Sequence, residues 1–210
     1  MEPFKVVTGV AAGLPFANVD TDVIMPKQFL KVVDRQGLAR GAFYDLRFAN
    51  DGTERADFVL NQGPWRKACF LIAGPNFGCG SSREHAVWGL RQLGIRAIAA
   101  ASFGAIFADN CAKNGVLAAV LPAHSIAVLM AAAAVPERSV LTFDLQRQVI
   151  EGESLPAVPF ELDSLGRDAL LSGREPIGAT LEHAAAIREF EDRHRVAQPW
   201  LFGRRPDKDH

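Results

Sequence analysis

The chain has 210 residues, 49% of them hydrophobic and 22% charged, with a formal net charge of −1. That is enough chain for one substantial core. The composition excludes a disordered or fibrous protein, and the balanced charge gives no long-range field for nucleic acid or an anionic membrane. Metabolites, metals and other proteins remain as partners. Three cysteines, Cys69, Cys79 and Cys111, are widely and unequally spaced, which fits neither a disulfide framework nor a zinc site.

In chain order, residues 5–10 read as a strand, and residues 18–26 follow in a turn-rich context. Residues 37–55 are polar and irregular, and are expected to form a mobile loop. The middle third alternates: an apolar strand at 68–73, a Gly/Pro-rich turn at 74–80, and a helix from about Ser82 to Leu93 stopped by Gly94. A strand at 97–101, a helix near 105–114, a strand at 116–121 and an Ala-rich buried helix after Pro122 follow. This β-α-β-α-β-α order predicts an α/β fold with a mostly parallel sheet. Two short β-like runs at 141–145 and 148–151 precede helices near 164–172 and 180–195. The apolar stretch 124–135 is too short to span a bilayer. The first residues lack the basic and apolar regions of a secretory signal, so a cytoplasmic location is the expectation.

The informative segment is Gly74-Pro75-Asn76-Phe77-Gly78-Cys79-Gly80-Ser81-Ser82-Arg83-Glu84-His85-Ala86, at a strand-to-helix junction where open α/β sheets bind ligands. Ser81 followed three residues later by Glu84 matches a capping box, which predicts a helix start at Ser82 and an anion site at its N-terminus. Arg83 adds a planar fork suited to a carboxylate, so a di- or tricarboxylic acid is the expected ligand. Competing motifs fail on single letters. A dinucleotide fingerprint starting at Gly78 needs Gly at position 83, which is Arg, and a nucleophile elbow on Ser82 needs Gly at position 84, which is Glu. A plain capping loop without a ligand is the alternative reading. His85 reads as a packing or hydrogen-bonding residue, Glu84 as the cap partner, and Cys79 as a small apolar residue in a tight loop.

Gly80-Ser81-Ser82-Arg83-Glu84-His85-Ala86 resembles the signature of the swivelling β/β/α domain of the aconitase superfamily. Asn18-Val19-Asp20-Thr21-Asp22-Val23-Ile24-Met25-Pro26, continuing through Phe29-Leu30-Lys31, resembles a segment of the small subunits of 3-isopropylmalate dehydratase. The likeness continues through Ser102-Phe103 and residues 110–115 into a tail with Gln198-Pro199-Trp200-Leu201, similar to the bacterial type of that subunit. It implies a swivel domain over residues 1–160 with a parallel-rich sheet and flanking helices. A C-terminal helical extension over 161–210 would pack on or against that domain.

The resemblance further implies a hydro-lyase that works only with a large subunit. That subunit holds a [4Fe–4S] cluster, and this chain binds no metal of its own. Ser81 becomes the catalytic base, Ser82 and Arg83 substrate-binding residues, Asp22 an active-site carboxylate and Lys31 a further substrate contact. Asp22 has a second reading as a turn-capping residue. Specificity for an isopropyl group is expected within residues 28–44, from Phe29, Leu30 or Val33. The reaction implied is isomerisation of 2-isopropylmalate to 3-isopropylmalate in leucine biosynthesis. Hydration of citraconate or dimethylmalate and a non-catalytic carboxylate-binding module are the alternatives.

Overall fold

The computed structural model describes residues 1–30, 37–81, 83–153, 155–174 and 176–202. Strand β1 (Val6–Leu14) is longer than the run expected from sequence, because Ala11, Ala12 and Leu14 continue it into the core. A short helix α1 (Thr21–Ile24) follows, then α2 (Tyr44–Arg47), β2 (Phe70–Ala73) and α3 (Glu84–Leu93). Next come β3 (Ala97–Ala100), α4 (Ala105–Lys113), β4 (Leu117–Val120) and α5 (Ala123–Ala133). Strands β5 (Val140–Asp144), β6 (Val149–Gly152) and β7 (Val158–Pro159) lead to α6 (Ser164–Ser172), α7 (Pro176–Leu181) and α8 (Ala184–Ala197).

The strands form one sheet in the order β4-β3-β2-β1-β5-β6-β7. The half built from β4, β3, β2 and β1 is parallel, and β5, β6 and β7 extend it antiparallel from the other side of β1. Strands β2 and β3 are buried along their whole length because helices cover both faces, as parallel sheets require. Alternate residues feed two cores. Ala12, Leu71, Ile98 and Ala100 face α3 and α4, whereas Ala11, Phe70, Ile72 and Ala99 pack with Leu129 of α5 and with Leu141, Phe143 and Ile150. No helix among the described residues is long and apolar enough to cross a membrane.

Residues 37–55 are not a loose loop. Leu38, Ala42 and Phe43 are fully or almost fully buried, and the Arg47 guanidinium donates to the carbonyls of Ala39 and Ala42. Asn61 ties this segment together by donating from Nδ2 to the carbonyls of Arg47 and Arg55. A polar surface with a few apolar anchors disguises an irregular but packed segment.

The chain divides into two compact units after Gly173 rather than after residue 160. Helix α6 belongs to the first unit because Leu170 is buried in its core and its carbonyl accepts from the Phe4 N–H at 2.8 Å. In the second unit the His194 ring lies against Phe190 and Phe202, 5.3 and 5.5 Å between centroids, and the Arg195 guanidinium sits over Phe202.

The loops leaving β1, β2 and β3 pack tightly at one edge of the sheet. A Cβ added at Gly104 would lie 2.4 Å from the Gly78 carbonyl oxygen. Gly104→Ala must therefore push the β2 loop aside, and we expect a loss of about 1–3 kcal/mol in urea denaturation. An unchanged midpoint would contradict this packing.

Candidate functional site at the C-terminal edge of the parallel strands

The motif loop, residues 75–81, lies between the loops that leave β1 and β3. From the β1 side, the Gly78 N–H donates to the Val19 carbonyl at 2.7 Å and the Thr21 N–H to the Cys79 carbonyl at 3.1 Å. From the β3 side, the Phe77 N–H donates to the Ser102 carbonyl at 3.0 Å, and the Gly104 N–H donates back to Phe77 at 2.9 Å. Side chains add to this lacing. The Asn76 N–H donates to Ser102 Oγ, and Asn76 Nδ2 donates to Asn18 Oδ1, both at 2.8 Å. Beneath the loop, the rings of Phe77, Phe103 and Phe107 form an edge-to-face and stacked cluster. The loop is thus held by its neighbours on both flanks and from below, while its tip faces outward.

The helix begins later than the capping-box pattern predicts. Gly80 adopts a left-handed conformation (φ +83°), and Arg83 is extended (φ −128°, ψ 134°) and occupies the N-cap of α3 with no side-chain cap. Glu84 is therefore the first helical residue instead of the third and cannot reach back to the Ser81 N–H. Its Oε1 instead accepts from Asn114 Nδ2 at 2.8 Å, and Asn114 Oδ1 accepts from Trp88 Nε1 at 2.9 Å. This bridge fastens the start of α3 to the end of α4. His85 lies against Trp88, with ring centroids 4.7 Å apart, as a packing residue would.

Ser81 is exposed at the loop tip, and its carbonyl accepts from Thr21 Oγ1 at 3.0 Å. Arg83 Nη1 lies 3.6 Å from Asp22 Oδ1, with the two side chains 34% and 45% exposed. That separation is an ion pair without a hydrogen bond, weak at this exposure, and it leaves the guanidinium fork able to turn onto a carboxylate. The two aspartates take different roles. Asp20 Oδ1 caps α1 by accepting from the Val23 N–H at 2.7 Å, whereas Asp22 Oδ1 is buried as an atom and has no hydrogen-bond partner among the described residues. The turn-capping alternative for Asp22 therefore falls to Asp20. The structure brings Ser81, Arg83 and Asp22 to one rim, while Ser82, Lys31 and Val33 lie outside the described residues. Phe29 packs on Tyr44, with centroids 5.0 Å apart.

The cysteines do not compose a ligand set for an iron–sulfur cluster. Among the described residues, no three His, Cys, Asp or Glu side chains group as metal ligands. Cys111 is fully buried and Cys69 half-buried, and burial pushes both thiols up. Thiolates at these two positions would be costly, and only Cys79 belongs to the motif loop.

Thr21, Asn76, Ser102 and Asn114 are the site residues that motif reading missed. Each lies inside or beside a segment of family resemblance, but none has a chemical signature until the loops are seen side by side.

A parallel half-sheet with this loop at its C-terminal edge is the architecture of an aconitase-type swivel domain. Residues 1–124 match the family of the aconitase C-terminal domain, and residues 177–204 match the C-terminal domain of the 3-isopropylmalate dehydratase small subunit. The chain is 48% identical over 201 residues to a 3-isopropylmalate dehydratase small subunit of Rhodospirillum rubrum, covering 96% of this chain and 97% of that one. A Rhodospirillum centenum protein of the same description is 49% identical over 203 residues, covering 97% and 100%. A crystal structure of 3-isopropylmalate dehydratase from Methanocaldococcus jannaschii superposes with a TM-score of 0.64 at 25% identity, over 89% of this chain and 99% of that one. The chain belongs to the aconitase C-terminal domain family and, within it, to the small subunits of 3-isopropylmalate dehydratase.

The Glu84–Asn114–Trp88 bridge has a measurable consequence. Asn114→Ala leaves the indole N–H and the carboxylate without their shared partner, so a stability loss of about 1–3 kcal/mol is expected in chemical denaturation. Stability equal to the parent would show that solvent replaces the bridge without cost.

Proposed function

We propose that this chain is the small subunit of a 3-isopropylmalate dehydratase, a hydro-lyase that interconverts 2-isopropylmalate and 3-isopropylmalate by dehydration and rehydration in cytoplasmic leucine biosynthesis. The observation that carries this reading is the rim of Ser81, Arg83 and Asp22, which has the chemistry for a dicarboxylate and, among the described residues, leaves Ser81 exposed and Arg83 and Asp22 partly so. A large subunit is the proposed second half. The [4Fe–4S] cluster it would hold supplies a Lewis acid for the substrate hydroxyl.

This chain contributes binding and proton transfer. Arg83, freed from any hydrogen bond to Asp22, binds a substrate carboxylate through its fork, and Ser82 adds a second contact. Lys31 extends the binding surface. Ser81 Oγ, ionised to the alkoxide, takes the proton from the carbon next to a carboxylate in the dehydration half, becoming the hydroxyl, and gives a proton back in the hydration half, returning to the alkoxide. A serine hydroxyl is a weak base and needs a positive environment, which the Arg83 guanidinium and the N-terminus of α3 supply. Asp22 keeps that guanidinium near the loop tip.

In the assembled enzyme, Ser81→Ala is expected to lower kcat by about 10²–10⁴-fold, the contribution of a positioned general base, with substrate binding within about two-fold of the parent. Arg83→Lys is expected to raise KM by about ten- to hundred-fold through loss of the bidentate contact. Turnover at the parental rate by Ser81→Ala would remove Ser81 from the role of base.

A further inference from the structure

We infer that Thr21 is the positioning residue for Ser81, an assignment that rests on the reading of Ser81 as the base. Thr21 is 3% exposed and presents two donors to the motif loop. Its N–H reaches the Cys79 carbonyl at 3.1 Å, and its Oγ1 reaches the Ser81 carbonyl at 3.0 Å. The two acceptors flank Gly80, which sits in the left-handed region at φ +83°. A glycine there can follow many paths, so the loop tip has no local conformational restraint of its own. One residue gripping the carbonyls on both sides of Gly80 supplies that restraint and fixes the direction in which the Ser81 side chain leaves the backbone.

The placement is reinforced along the chain. Asp20 forms a parallel bridge with Cys79, Thr21 holds Cys79 and Ser81, and Asp22 faces Arg83, so three consecutive residues follow the motif loop in register. The cap that Asp20 places on Val23 holds α1 in the orientation this requires. Among the described donors in this register, only the Thr21 hydroxyl belongs to a side chain and touches the residue assigned as base. Thr21 touches the loop backbone and acts through Ser81. Rate losses of the order of 10²-fold accompany displacement of a reacting group by about 1 Å, so the hydroxyl governs kcat and not substrate affinity.

The test uses the complete two-subunit enzyme with 2-isopropylmalate. Thr21→Val keeps the shape and removes the donor, and Thr21→Ser keeps the donor and removes the methyl group. We expect kcat to fall about 10²-fold in Thr21→Val with KM within about two-fold, and Thr21→Ser to recover most of the rate. Thr21→Ala provides the same donor deletion if valine prevents assembly. In a Ser81→Ala background, Thr21→Val should have no further effect on residual turnover. Parental kcat in Thr21→Val, equal damage in Val and Ser variants, or an additive loss on top of Ser81→Ala would each overturn the assignment. Normal turnover by Ser81→Ala alone would instead overturn the role of Ser81, so the two failures are separable.

Discussion

Backbone hydrogen bonding between three loops at the C-terminal edge of the parallel strands is the constraint on which the site depends. Loop residues contribute N–H and C=O groups that must be satisfied once packed, and here much of that demand is met by neighbouring loops. Val19 accepts from Gly78, Cys79 from Thr21, Ser102 from Phe77, and Phe77 from Gly104. The motif loop therefore behaves as an irregular continuation of the sheet. With its base fastened and the Phe77, Phe103 and Phe107 rings beneath it, the tip can hold Ser81 exposed and Arg83 partly exposed.

That arrangement explains why the rim reads as half of an active site. A complete pocket excludes water from the reacting atoms, but Ser81 is exposed and Arg83 and Asp22 are partly so. The groove lined by Ala108, Leu165 and Leu170 contains no motif residue. The chemistry assigned to the rim thus calls for a second surface, and a chain related over nearly its full length to proteins described as small subunits fits that need.

Sequence made the broad design readable because its strongest signals are local. Apolar runs gave β2, β3 and β4, Gly94 marked a helix end, and the Gly-Ser-Ser-Arg letters marked the loop. The start of α3 was not readable, since its delay depends on Gly80 and Arg83 adopting non-helical conformations that the neighbouring loops enforce. Residues 37–55 looked loose because Leu38 and Phe43 are sparse apolar anchors in polar surroundings, and cross-bonds from Arg47 and Asn61 appear only in three dimensions. The separate duties of Asp20 and Asp22 were also hidden. Both are acidic residues in a turn, and only geometry shows which one is used up as a cap.

The most direct measurement mixes the purified chain, under anaerobic conditions, with a cluster-loaded large subunit from the same organism and follows the unsaturated product of isopropylmalate dehydration by absorbance. Each subunit alone is the control. We expect product only in the mixture, with a rate that saturates as this chain is titrated against a fixed amount of the large subunit. No complex and no turnover of isopropylmalate, citramalate or dimethylmalate would contradict the assignment of the Ser81 rim as half of a hydro-lyase active site.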